Sequence, residues 1–223
     1  MLVSTTAPAG ALGVRHFRPT THTTAWAAFR AGLPSLSASR AENAFRVRNL
    51  PHLLRGALGL FWAELVGVPT FYGVVRARVR HAGGLLDLGV ISLRVVTTAG
   101  VGFIVDAFQN SVELENMKYH GVGTGTTAEA SGDTALVTES TTVLDPDSTR
   151  ATGTTTEGAS ANIYRTVGTV LFDGSAAITE HGVFSQAATG GGVLLDRSVF
   201  AAINVASGDS IQFTYELTFT AGS

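Results

Sequence analysis

Five large apolar side chains, Ile211, Phe213, Tyr215, Leu217 and Phe219, occupy alternate positions near the end of the chain, with Gln212, Thr214, Glu216, Thr218 and Thr220 between them. Successive residues of a strand point to opposite faces of its sheet, so this run has one dry face and one wet face. A helix turning about 100° per residue would scatter the same five side chains over opposite sides. The pattern predicts a strand that is central or well covered, with Ser207-Gly208-Asp209 turning the chain into it.

The residues upstream predict its neighbours. Apolar and threonine-rich runs at 118–121, 134–139, 149–157, 161–172, 175–184, 192–196 and 200–205 read as strands separated by Gly, Ser, Thr and Asp turns. So many short strands with so little helix predict a mainly β chain, whose residues 112–223 form an antiparallel β-sandwich or jelly-roll-like domain. With 223 residues, 45% hydrophobic and 14% charged, the chain can bury a core of its own. The absence of cysteine removes disulfides, thiolate metal sites and cysteine nucleophiles.

Residues 50–111 read as a linking or oligomerisation region. A helix is expected over 50–66, capped by Asn49, with Pro51 in its first turn and Gly67 at its exit. Leu50, Leu53, Leu54, Ala57, Phe61 and Leu65 share one face, and Leu58, Leu60 and Trp62 widen the stripe almost all round. Such a helix is buried on more than one side, within its own domain or between subunits. A β-hairpin follows: Val75, Ala77 and Val79 alternate with Arg76, Arg78 and Arg80, His81-Ala82-Gly83-Gly84 turns, and 86–96 returns. Three arginines on one strand face repel one another. They require a carboxylate or phosphate partner, or they form a solvated face with partners on the neighbouring strand. Thr97 or Thr98 then caps a helix on which Val101, Ile104, Val105 and Phe108 share a face.

Residues 1–49 read as an extended arm, with at most a short helix near 25–31, because their apolar residues recur without a stable period. Such an arm is ordered only against a neighbour or is simply disordered, and its removal is expected to leave the β domain folded. Phe17, Trp26, Phe29 and Phe45 are anchors for pockets, and Arg15, Arg18, Arg30, Arg40, Arg46 and Arg48 are partners for carboxylates. The candidate partner-binding residues of the whole chain are thus Trp26, Phe29, Arg40, Arg46, Arg48, Phe61, Arg76, Arg78 and Arg80.

Charge is divided unevenly. Residues 1–100 hold eleven arginines against three acids, a net +8, and residues 101–223 hold four basic residues against fourteen acids, a net −10. Like subunits can attract head to tail, or the basic half can sit on an acidic surface, of which nucleic acid is one. The most apolar stretch, 53–68, is short and interrupted by Arg55 and Glu64, so no membrane span is expected. The first residues make a poor signal peptide, and synthesis in a cytoplasm is expected.

Chemistry is sparse. Asp133, Asp145 and Asp147 lack calcium-loop spacing, and Glu180-His181 has no second carboxylate that the sequence alone places beside it. The run Gly121-Val122-Gly123-Thr124-Gly125-Thr126-Thr127 is glycine-rich like a phosphate loop but lacks the following Gly-Lys-Ser/Thr. Six scattered histidines form no ligand cluster. No catalytic, metal or cofactor site is expected, and the chain reads as a non-enzyme.

Several runs carry a resemblance. Val95-Val96-Thr97-Thr98-Ala99-Gly100-Val101, Phe108-Gln109-Asn110, and Lys118-Tyr119-His120-Gly121 continuing through Gly125-Thr126-Thr127-Ala128 are one part of it. Asp133-Thr134-Ala135-Leu136-Val137-Thr138-Glu139 and the closing 205–215 are the other. Together they resemble virion structural proteins of tailed bacteriophages, over roughly residues 90–223. The resemblance implies a structural component of a phage particle, first a capsid decoration (cement) protein on the head surface, then a tail or fibre attachment protein. It implies homo-oligomers, with a trimer favoured by analogy with decoration proteins, and contact with other virion proteins such as the major capsid protein. A nucleic-acid-associated protein using the Arg76, Arg78 and Arg80 stripe is a further alternative, and nucleic acid is not the expected partner. A glycan-binding sandwich ranks lowest, since Trp26 and Trp62 both lie in the N-terminal half.

Overall fold

The computed structural model describes residues 20–65 and 71–219. In chain order they form α1 (Thr20–Ala31), α2 (Arg40–Leu65), β1 (Tyr72–His81), β2 (Gly84–Val95) and α3 (Thr98–Phe108). The 3₁₀ turn Leu114–Asn116 follows, then β3 (Tyr119–Gly123), β4 (Ala151–Thr152), β5 (Thr154–Glu157), β6 (Ile163–Leu171), β7 (Ala176–Phe184), β8 (Leu194–Val205) and β9 (Ser210–Thr218).

The strands make two antiparallel sheets, ordered β2-β1-β9-β6-β5 and β4-β3-β7-β8. The alternating run at the end of the chain is the middle strand of the larger sheet: β9 pairs with β1 on one side and β6 on the other. Ile211, Phe213, Tyr215 and Leu217 are buried, while Phe219 is half-buried just past the strand. They share a core with Val75, Ala77 and Val79 of β1, Ile178 and Val183 of β7, Phe200 and Ile203 of β8, Phe45 of α2, and Phe103 and Ile104 of α3. The hairpin forms as expected, with His81 opposite Gly84, where φ is +132 and glycine is required. Through the β1–β9 pairing the hairpin joins the same sheet as the C-terminal strands.

The sandwich or jelly-roll expectation is overturned. The described residues make a mixed α/β fold of three α-helices and two open antiparallel sheets, neither closed on itself. Three local readings account for the difference. First, residues 20–31 and 40–49 are helical rather than an extended arm; Phe17, Arg15 and Arg18 of that arm lie outside the described residues. The signal was Ser39-Arg40-Ala41-Glu42, a capping box. Ser39 N donates to Glu42 Oε2 (2.7 Å) and Glu42 N to Ser39 Oγ (3.2 Å), so α2 starts eleven residues before Pro51. Second, α2 runs through Pro51, which sits on its exposed face, where the carbonyl it frees can meet water. The expected exit at Gly67 lies outside the described residues. Third, the runs expected at 192–196 and 200–205 merge into one continuous strand, β8 from Leu194 to Val205, 134–139 is loop with a single bridge from Gly123 to Glu139, and 149–157 splits at Gly153. There the chain passes from one sheet to the other, β4 pairing with β3 and β5 with β6.

The even-numbered face of β1 shows how the helices are placed. Tyr72 and Val74 lie under α1 and α2 in a second core with Ala28, Phe29, Leu53, Leu60, Val90 and Leu93. Farther along the same face come Arg76, Arg78 and Arg80, where the helices no longer cover the sheet.

Candidate docking surface

The inward side of α2 carries Glu42, Arg46 and Asn49 at i, i+4 and i+7, and each bonds the edge of β2. Glu42 Oε1 accepts from Asp87 N (2.7 Å), Arg46 Nη2 donates to Asp87 O (3.1 Å), and Asn49 Nδ2 donates to Ile91 O (2.8 Å). Those backbone bonds to Glu42, with Ser39, hold its carboxyl below the usual range. Asn49 Oδ1 also accepts from Ala201 N (2.9 Å), so one fully buried amide joins the β2 edge of one sheet to the β8 edge of the other. Glu129 Oε1 accepts from Val199 N, and Thr97 N donates to Leu195 O, covering more of β8. Leu53 and Leu60 complete this side, and Gly56 lets the helix backbone lie against the Leu93 carbonyl.

The outward side is also apolar. Leu54, Leu58, Phe61 and Trp62 are exposed, Leu58 at 57% and Trp62 at 60%. On α1, Trp26 is 55% exposed and stacks at 5.3 Å on the buried ring of Phe29. Together α1 and α2 bound a groove of about 300 Å³ lined by Trp26, Phe29, Leu54, Leu58 and Phe61 and floored by Leu93. Three of the expected partner-binding residues, Trp26, Phe29 and Phe61, therefore come together. Of the arginines, Arg40 and Arg48 are exposed on α2, whereas Arg46 is bound to the carbonyls of Leu33 and Asp87.

The β1 stripe lies on the uncovered part of the larger sheet. Arg76 faces Glu216 of β9 (3.8 Å), a carboxylate held more closely by Arg165 (2.7 Å), and Arg78 pairs with Asp87 of β2 (3.1 Å). Neighbouring strands thus supply carboxylates to two of the three arginines, and Arg80 is exposed beside them.

The remaining candidate chemistry is internal. Glu180 is fully buried; its oxygens accept from Gly125 N (3.1 Å), Val137 N (3.1 Å), Thr138 N (2.8 Å) and the Arg197 guanidinium (2.8 Å). The glycine-rich run resembling a phosphate loop therefore packs against a carboxylate of its own chain. A Cβ on Gly123 or Gly125 would stand 2.5 Å from Glu180 Oε1. Arg197 also donates to Asp133 (3.0 Å) and to Thr127 O (3.0 Å). Arg150 makes a bidentate pair with Glu139 (2.6 and 3.0 Å), donates to the carbonyls of Gln186 and Gly191, and lies 3.5 Å over the Phe184 ring. These two arginines clamp the long segment 124–150 onto β7 and β8, and nothing in the residue pattern announced them. His181 stacks on Phe213 and meets His120 across 2.9 Å, and burial lowers both, His120 to about 3, so both are neutral. Asp145 and Asp147 are exposed in a turn, and among the described residues no group of three or more His, Cys, Asp or Glu is placed to hold a metal.

Between the sheets lies a last polar cluster. Asp196 accepts from Ser198 Oγ (3.2 Å), and its Oδ2 stands beside the Tyr215 hydroxyl against Gly73, where a Cβ would lie 2.6 Å from one and 2.9 Å from the other. Burial pushes Asp196 up to about 7 against the pull of Ser198 and Arg94. Arg94 is ion-paired with Glu129. No helix among the described residues is long and apolar enough to cross a membrane. No family model matches the chain, and neither the curated proteins nor the solved structures contain a significant match.

Proposed function

We propose that the protein is a structural, non-catalytic subunit of a phage virion, a capsid decoration protein on the head surface, assembled with copies of itself. The observation that carries this reading is the α1–α2 groove. The described residues expose a concave apolar surface with aromatic walls, Arg150 and Arg197 are consumed in holding the body's own loops, and the exposed arginines Arg30, Arg40 and Arg48 lie on the same two helices. Aromatic anchors with arginine are the composition of protein–protein hot spots. The resemblance of residues 90–223 to virion structural proteins supplies the setting. In the nucleic-acid alternative the arginine stripe would meet phosphate, but Arg76 and Arg78 already face Glu216 and Asp87.

Cryo-EM of purified virions tests the proposal: the protein is expected in regular positions on the head lattice. Density confined to the tail would replace decoration by tail attachment, and particles without the protein would overturn the virion reading.

A further inference from the structure

The sequence placed Val101, Ile104, Val105 and Phe108 on one face of a helix, and α3 divides them. Its buried side is Gly100, Phe103 and Ile104. Val101, Val105 and Phe108, at i, i+4 and i+7, look outward at 39%, 48% and 86% exposure. The 3₁₀ turn packs beside α3, and its exposed Leu114 lines a separate depression with Ile163, Tyr164 and Phe219. The charged residues between 101 and 117 are Asp106, Glu113 and Glu115, all exposed and all acidic. Helix α3 thus carries another exposed apolar surface, convex and bordered by carboxylates, where the α1–α2 groove is concave and accompanied by the exposed Arg30 and Arg48. The one described carboxylate on α1 or α2, Glu42, is turned onto Asp87 N.

The two surfaces match in length as well as in sign. Val101 to Phe108 and Leu54 to Phe61 each span seven residues of helix, about 10 Å at a 1.5 Å rise. Within one chain neither covers the other, since Phe108 and Leu58 both remain largely exposed. We propose that α3 of one copy docks into the α1–α2 groove of a second copy. Phe108 and Val105 enter the groove, and Asp106, Glu113 and Glu115 meet Arg30 and Arg48. This is helix-in-groove recognition, and the two partners use different surfaces, so every bound copy still presents one surface of each kind unless the assembly closes. The inference rests on the reading of the groove as a protein-contact surface and names its occupant.

Complementation between two variants of the full chain tests it. Leu58→Gln spoils the groove and Phe108→Gln spoils the plug. Both side chains are exposed, so each variant is expected to melt as the wild type does. Sedimentation across a dilution series should show wild-type self-association, weakened about tenfold or more in either variant alone, the loss expected for a central hot-spot side chain. Mixing the two variants should restore association, because the Phe108→Gln copy keeps an intact groove and the Leu58→Gln copy an intact plug. A wild type that stays monomeric, a loss confined to one variant, or a mixture no better than its components would each overturn the proposal. A monomeric protein that still decorated heads would refute this contact while leaving the virion reading standing.

Discussion

Arg150 shows how much of this fold rests on single buried charges. Its guanidinium is almost wholly enclosed: Nε, Nη1 and Nη2 donate to the Glu139 carboxylate and to the carbonyls of Gln186 and Gly191, and its face lies over the Phe184 ring. Replacing one member of a buried ion pair strands the other, so Arg150→Met should cost about 3–5 kcal/mol. Urea denaturation measures this, and a loss under about 1 kcal/mol would mean that segment 124–150 is held by other contacts. Phe213, fully buried at the middle of β9, is the apolar counterpart: Phe213→Ala should cost about 3–5 kcal/mol by the same measurement. Asp196 makes stability depend on pH. Its folded value of about 7 exceeds the ordinary 3.8, so between the two the native state holds a proton that the unfolded chain has released. Its contribution is complete below the lower value and is lost as pH rises through the upper one. The wild type should therefore lose stability relative to Asp196→Asn as pH rises from about 5 to about 8. Denaturation of both proteins at the two pH values reads this out, and parallel curves would remove Asp196 as the cause. His120 and His181, held neutral, act in the opposite sense and lose stability on acidification below the ordinary histidine value of 6.5.

At the scale of elements, α2 joins the two sheets. Glu42, Arg46 and Asn49 close the β2 edge, and Asn49 alone reaches β8 as well. Asn49→Leu leaves Ile91 O and Ala201 N without their partner at a buried site, at about 1–3 kcal/mol for each group. A calorimetric melt should show the loss, and an unchanged melting temperature would mean that water or relaxation restores both bonds. Removing residues 1–45 should lower the melting temperature rather than leave a folded β body, because Ala28, Phe29 and Phe45 leave the two cores and uncover Val74, Val90 and Leu93. A truncated protein that melts with the full chain would restore the arm interpretation for these residues.

For the whole molecule, the division of charge has a structural counterpart. The basic half contributes a concave apolar groove and the acidic half a convex apolar stripe. Exposed charges are screened beyond about 8–10 Å at ordinary ionic strength, whereas apolar contact is not. Self-association through these surfaces should weaken with added salt but persist in part. Sedimentation at low and high salt checks it, and association that strengthens with salt throughout would mean that the charges contribute nothing.

What the residues determined alone was local. Period two made β9 a covered strand, the alternation with arginine and the Gly-Gly turn made the β1–β2 hairpin, and Thr97 marked the start of α3, with its hydroxyl accepting from Gly100 N. Each depends on neighbours within a few residues. The same local evidence held the start of α2 in its capping box, although the apolar run after Pro51 masked it. Which face of a helix lies inward was decided only in three dimensions. Both sides of α2 and of α3 are apolar, and periodicity cannot choose between two apolar sides. Nor could it show that Arg197 and Arg150 reach Glu180 and Glu139, 17 and 11 residues away, since those pairs depend on how β7, β8 and the long loop stack. The open pair of sheets was likewise a tertiary outcome: strand signals count strands, while the helices that cover their edges determine how the sheets end.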